Sequence, residues 1–87
     1  MAKTWYVYLI ECADGSLYTG IAVDVARRYA MHASGKGARY TRSHPPKRLA
    51  AIIEYADHAS ASSAEHLVKQ MNTASKRELC RRHPAAS

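Results

Sequence analysis

Tyr8 and Tyr18 lie on either side of a turn in the stretch WYVYLIECADGSLYTG, and the length of that turn decides whether two phenols meet. A two-residue loop at Asp14-Gly15 sets Tyr18 opposite Glu11, on the face away from Tyr8. A three-residue loop, Ala13-Asp14-Gly15 with Gly15 left-handed, pairs Tyr18 with Ile10 and leaves it diagonal to Tyr8 on one face. The longer loop is the expectation, because two phenols converging on a sheet face make a site. Further on, Asp24, Arg28 and His32 recur every four residues and line up along one side of a helix. An arginine there grips an oxyanion in a planar fork and stays charged near neutrality. A histidine bonds an oxyanion or transfers a proton.

Ordinary explanations stand beside these. Tyr8 is equally a strand aromatic whose hydroxyl finds a core partner, and Arg28 a solvated helix arginine. Arg27 offers an internal contrast, since it points about 100° away around the same helix. His32 also suits a helix C-terminus, where the dipole favours it. Gly20 is either the end of a strand or a place where backbone approaches a ligand. Glu65 has two structural readings: Ser62-Ser63-Ala64-Glu65 fits a capping box, and Glu65 with Lys69 fits an ion pair worth only ~0.3–0.5 kcal/mol.

Charge narrows the partner. The 87 residues carry a formal net charge of +6, and no acidic residue occurs between Asp24 and Glu54. That interval holds Arg27, Arg28, Lys36, Arg39, Arg42, Lys47 and Arg48, interleaved with Tyr29 and Tyr40. Such a segment suits a polyanion, most simply nucleic acid; the alternative is a basic surface that only confers solubility. Cys12 and Cys80 are too few for a disulfide framework and lack zinc-ligand spacing, so reduced thiols in a cytoplasmic protein are expected. No signal-peptide region or run of membrane length is visible, and a membrane partner is not expected.

These residues need a scaffold. Trp5 to Glu11 alternates Trp5, Val7 and Leu9 against Tyr6, Tyr8 and Ile10, so the strand should be covered on both faces. Asp24 caps a helix over 25–33 with Val25, Tyr29 and Ala33 buried, and a left-handed Gly35 ends it. Residues 38–46 read as an irregular basic loop stopped by two prolines. LAAIIEY, within 48–56, makes a third strand that returns by a right-handed connection. A polar connection over 57–63 leads into a helix reaching Asn72, with Ala64, Leu67, Val68 and Met71 as its apolar stripe. Thr73 caps a last helix to about Arg82, and residues 83–87 are expected to fray. The expected fold is a single α/β (α+β) domain over 1–87, with its core at about 5–79. It comprises a small three-stranded mixed sheet with a hairpin, flanked by about three helices. A monomer is assumed.

In this order the motifs resemble the GIY-YIG nuclease superfamily, particularly its small stand-alone bacterial members, and the amino-terminal nuclease domain of the excinuclease C subunit. Tyr6-Val7-Tyr8 and Tyr18-Thr19-Gly20 stand where the two triplets belong. DVARRYAMH, Asp24 to His32, is similar to the family helix that carries an essential arginine, here Arg28. GKGARYTR, Gly35 to Arg42, looks like a segment of the small stand-alone members, and Glu65 falls where the family places its metal-binding glutamate.

The resemblance implies in-line, metal-assisted hydrolysis of a phosphodiester by water, with Tyr8, Tyr18, Arg28, His32 and Glu65 as catalytic residues. One of Tyr8 and Tyr18 assists deprotonation of water while the other orients the phosphate or a metal-ligated water; which does which is open. A phenol is a poor base at its ordinary pKa of about 10, and a nearby cation favours phenolate. One Mg²⁺ or Mn²⁺ on the Glu65 carboxylate suits the chemistry better than zinc. Gly20, Arg27, Lys36, Arg39, Tyr40, Thr41, Arg42 and Lys69 are the expected nucleic-acid contacts, with Tyr40 and its neighbours gripping backbone or stacking on a base. DNA is the expected substrate, single-stranded or branched rather than read by long sequence. A nuclease acting on RNA and a non-catalytic nucleic-acid-binding module are the alternatives.

Overall fold

A computed structural model describes residues 3–85. The elements run β1 (Trp5–Cys12), β2 (Leu17–Ala22), α1 (Val25–Ala33), α2 (Arg39–Ser43), β3 (Pro46–Tyr55), α3 (His58–Lys69) and α4 (Thr73–Arg82). β1 is the middle strand of the order β2-β1-β3. Its two faces serve different layers, as alternation predicts. Val7 and Leu9 pack with Ala51, Ala61 and Val68 beneath α3 and α4, whereas Tyr8, Ile10 and Cys12 pack with Ala22 and Val25 beneath α1. Cys12 is buried, Cys80 half-buried, and both thiols are free.

The sheet is wholly antiparallel, not mixed. The helical crossover carries the chain from β2 past β1 to β3. β2 and β3 therefore run the same way, but each is hydrogen-bonded only to the strand between them. The hairpin has the longer loop. Gly15 adopts φ +86°, its N–H donates to Cys12 O at 2.9 Å, and the Cys12 N–H donates to Ser16 O at 2.9 Å. Tyr18 consequently pairs with Ile10, and Tyr8 faces Gly20.

Helix starts follow their caps. Asp24 accepts from Arg27 N–H at 3.0 Å and opens α1, and Gly35 at φ +81° follows its end. α3 begins six residues before the expected Ala64, because Asp57 accepts from Ser60 N–H at 2.8 Å and outcompetes Ser62 as the cap. Ser62 and Glu65 are therefore mid-helix, and the capping box does not form. The inward stripe of α3 is Ala61, Ala64 and Val68; Leu67 is 62% exposed and Met71 faces out as well. Asn72, not Thr73, caps α4, accepting from Ser75 N–H at 2.8 Å.

Two stretches are more ordered than their composition suggests. α2 occupies the middle of the expected loop, and β3 starts at Pro46, a position where the missing N–H removes no needed bond. After α4 the backbone pairs with β3: Ile52 N–H donates to His83 O at 3.2 Å and Ala85 N–H to Ala50 O at 3.3 Å. The fraying expected from residue 83 thus does not describe residues 83–85, and 86–87 lie outside the described residues.

One buried group has no protein partner. Thr19 on β2 is 3% exposed, and its hydroxyl bonds to none of the described residues. Thr19→Val keeps the shape and removes the stranded hydroxyl, so it should stabilise the fold by about 1 kcal/mol and raise Tm by about 4–8 °C. Calorimetry reads this directly. An unchanged or lower Tm would mean that the hydroxyl is satisfied.

Candidate active site

Four elements meet along the β2 edge of the sheet. β1 contributes Tyr8, β2 contributes Tyr18 and Gly20, α1 contributes Arg28 and His32, and α3 reaches round from the other face with Glu65. Together with Lys36, Gly37 and Ala38 they line a cleft of about 300 Å³. The rings of Tyr8 and Tyr18 lie 6.4 Å apart at 46°, as the diagonal register requires.

His32 is the fixed point. The expected stripe on α1 placed Ala33 inside, but Ala33 is exposed and His32 is 2% exposed, continuing Val25 and Tyr29 inward. Both ring nitrogens are engaged: Nε2 with Tyr8 Oη at 2.9 Å, and Nδ1 with Thr41 Oγ1 at 2.7 Å. The proton positions follow from Thr41. Its hydroxyl donates to the Ala38 carbonyl at 2.9 Å, and a carbonyl can only accept. Nδ1 must then carry the proton that it shares with Thr41, which leaves Nε2 to accept from the Tyr8 hydroxyl. Ala38 N–H approaches the same Nδ1 at 3.4 Å, but this competing contact is the weakest of the set.

Burial governs both titrations. It pushes the Tyr8 phenol well above its ordinary value; Tyr18 and Glu65 push the same way, and Arg28 opposes them without prevailing. Arg28 therefore favours phenolate as expected of a neighbouring cation, but burial outweighs it and Tyr8 rests as the neutral phenol in the protein alone. His32 is held below the ordinary imidazole range by burial first and by the Arg28 charge second. The folded state thus binds fewer protons at His32 than the unfolded state does. Stability from this group is present above about pH 6.5 and falls as pH drops below it. Urea midpoints at pH 7.5 and pH 5.5 should show that fall in the parent and a smaller fall in His32→Gln; equal falls would place the origin elsewhere.

The remaining expected contacts divide. Tyr40 stacks on Tyr18 at 5.9 Å and on His44 at 4.0 Å, forming an aromatic shelf beside the cleft. Arg39 and Arg42 are exposed on α2 but do not line the cleft, and Arg27 lines a neighbouring hollow that shares Arg28 with it. Thr41 is 2% exposed with its hydroxyl committed to His32 and Ala38, so it orients the imidazole and has no face left for a phosphate. Lys69 bonds Glu65 at 3.2 Å, the ion pair expected from the spacing. Gly20 does not end β2; it lines the cleft from mid-strand, where a Cβ would meet the Tyr8 ring. Sequence reasoning missed Gly37 and Ala38. Gly37 leaves room for the His32 ring, and Ala38 anchors Thr41; only the glycine in GKGARYTR hinted at either.

Glu65 is the cleft's one carboxylate, with its side chain 20% exposed. Among the described residues no three His, Cys, Asp or Glu side chains gather to cage an ion. A single carboxylate lining the cleft, whose one ion pair is to an exposed lysine, fits a hard cation such as Mg²⁺, which completes its shell with water and phosphate oxygens.

The family model described as the GIY-YIG catalytic domain matches residues 4–78. A UPF0213 protein of Cupriavidus pinatubonensis is 47% identical over 78 residues, covering 90% of this chain and 87% of its own. One from Xanthomonas campestris pv. campestris is 49% identical over 74 residues, covering 85% and 72%. The solution NMR structure of the UPF0213 protein BH0048 from Bacillus halodurans superposes with a TM-score of 0.57 at 45% identity, over 90% of this chain and 83% of that one. No helix among the described residues is long and apolar enough to cross a membrane.

Proposed function

This chain belongs to the GIY-YIG family, and from that premise we propose that it is a divalent-metal-dependent endonuclease that hydrolyses DNA phosphodiester bonds in single-stranded or branched regions. One observation carries the reading: two phenols, a guanidinium and a carboxylate, drawn from four elements far apart in the chain, line one cleft. Simple binding of nucleic acid does not require the carboxylate.

The hydrogen-bond order supports Tyr8 as the residue that takes the proton from the attacking water. Its own proton passes to His32 Nε2, which is neutral at rest and aligned at 2.9 Å. The resulting imidazolium keeps its Nδ1–H on Thr41. A neutral buried phenol thus acts as a base by relaying a proton, with no need to rest as phenolate. Arg28 donates to the non-bridging oxygens as charge grows on them, and Tyr18 orients the phosphate from the mouth of the cleft. Glu65 would hold a divalent cation, Mg²⁺ or Mn²⁺, which would supply further positive charge to the phosphate when bound.

The Tyr40–Tyr18 shelf and the exposed Arg39 and Arg42 extend the surface for unpaired bases and backbone. The test is incubation of the purified chain with end-labelled single-stranded, duplex and branched DNA and with RNA of the same sequences, in Mg²⁺ or Mn²⁺ and then with chelator. Cleavage of the single-stranded or branched DNA that stops on chelation is the expected result. Binding without turnover in any divalent metal would replace the nuclease by a binding module, and preferential cleavage of RNA would reassign the substrate.

A further inference from the structure

A second hollow, of about 350 Å³, shares Arg28 with the candidate cleft. Trp5, Val23 and Met31 form its apolar wall, and Arg27 and Arg28 stand over it. Val23 and Met31 are 39% and 36% exposed, so this apolar surface is left to solvent in a hollow that two arginines also line. Asp24 is the one carboxylate present, and its Oδ1 already accepts from Arg27 N–H. Trp5 is held by an edge-on contact with His58 at 4.6 Å, so it meets a ligand without first being ordered. An apolar wall beside net positive charge matches a nucleotide, which offers a flat apolar base and an anionic phosphate. Arg28 lines both hollows and places this one a single side chain from the proposed reacting phosphate.

We propose that the hollow between Trp5, Val23 and Met31 is a base-binding subsite for the unpaired nucleobase flanking the phosphate held by Arg28. This rests on the nuclease reading and deepens it: the substrate strand runs from the Tyr40 shelf, through the cleft, to Trp5. A base stacked in a duplex cannot enter, so the strand must be single or locally opened at this nucleotide. Arg27, which lines only this hollow, then meets the next phosphate and not the reacting one.

Trp5 is the only tryptophan of the chain, so its fluorescence reports the subsite directly. The full chain, in chelator to prevent turnover, is titrated with a short single-stranded DNA and with the same backbone carrying abasic residues. Anisotropy of a labelled strand is followed separately. The intact strand should quench Trp5 saturably; the abasic strand should bind about tenfold more weakly and leave the tryptophan signal unmoved. Trp5 also packs against the core, so the variant of choice is the neutral Met31→Ser on the exposed wall, which removes apolar surface without adding charge beside Arg27 and Arg28. It should keep the parent's thermal transition and weaken binding of the intact strand about fivefold, with little effect on the abasic one. Equal quenching by both strands, or parent affinity in Met31→Ser, would overturn the subsite while leaving the nuclease reading intact. Failure of every oligonucleotide to bind by anisotropy at low salt would remove the nuclease reading, and the subsite with it.

Discussion

Glu65→Gln should lower cleavage in saturating Mg²⁺ by at least about 10³-fold, while leaving the unfolding free energy within about 0.5 kcal/mol of the parent. The two numbers separate the two things this carboxylate does. Its structural bond is the ion pair to Lys69 at 3.2 Å, one helical turn away, with the lysine side chain 53% exposed. Such a pair is screened by water and contributes a few tenths of a kcal/mol. Glutamine preserves volume and helix propensity, so nothing else in α3 changes. What is lost is the cleft's one negative charge, and with it the donor a hard cation requires. Single-turnover rates and urea denaturation on the same preparation give both values. A drop in rate of less than tenfold, or a destabilisation of several kcal/mol, would return Glu65 to a structural role.

Gly20→Ala is expected to reduce the cleavage rate by about 10²-fold or more and to destabilise the fold by about 1–3 kcal/mol. Gly20 lies directly across the ladder from Tyr8, and the phenol ring folds over it. A Cβ at this position would sit 2.5 Å from the Tyr8 oxygen and 2.6 Å from Cζ, inside any allowed contact. The ring cannot easily retreat, because it is 2% exposed and bonded to His32. Either β2 moves away or Tyr8 turns and loses its proton acceptor. Backbone conformation does not enter, since Gly20 lacks the positive φ of Gly15 and Gly35. A double-mutant cycle identifies the cause: in a Tyr8→Ala background the same glycine substitution should cost little stability. A full cost retained in that background would mean the clash is with something other than the ring.

Local chemistry was legible in advance, and long-range competition was not. Gly15, Gly35 and Asp24 act within a few residues, so the hairpin loop, the end of α1 and its cap could be read from the chain. Loop length fixed the register, and the register put Tyr8 and Tyr18 on one face. Spacing put Arg28 on a helix face, but its essential role and that of Glu65 came from resemblance to a family, because each alone reads as an ordinary surface residue. The segment around Thr41 was misread because its order comes from outside: five residues close into α2 around a hydroxyl that bonds His32, nine positions earlier. His32 itself was set on the polar side of α1, although it supplies the buried link between two elements. The start of α3 was misplaced because a serine-rich stretch looks like a connection until Asp57 is seen capping it and Ala61 is seen pressed on the sheet.

The backbone pairing of residues 83–85 with β3 has a consequence for self-association. A sheet with the order β2-β1-β3 has two rims, and exposed rims invite a strand from another molecule to add on. The last described residues shield the middle of the β3 rim, and the elements that form the cleft crowd the β2 rim, so both rims are guarded in part. The β2 rim borders the candidate cleft, so a nucleic acid strand bound there and an intruding β-strand would contend for the same ground. Bound nucleic acid would then guard this rim against strand addition.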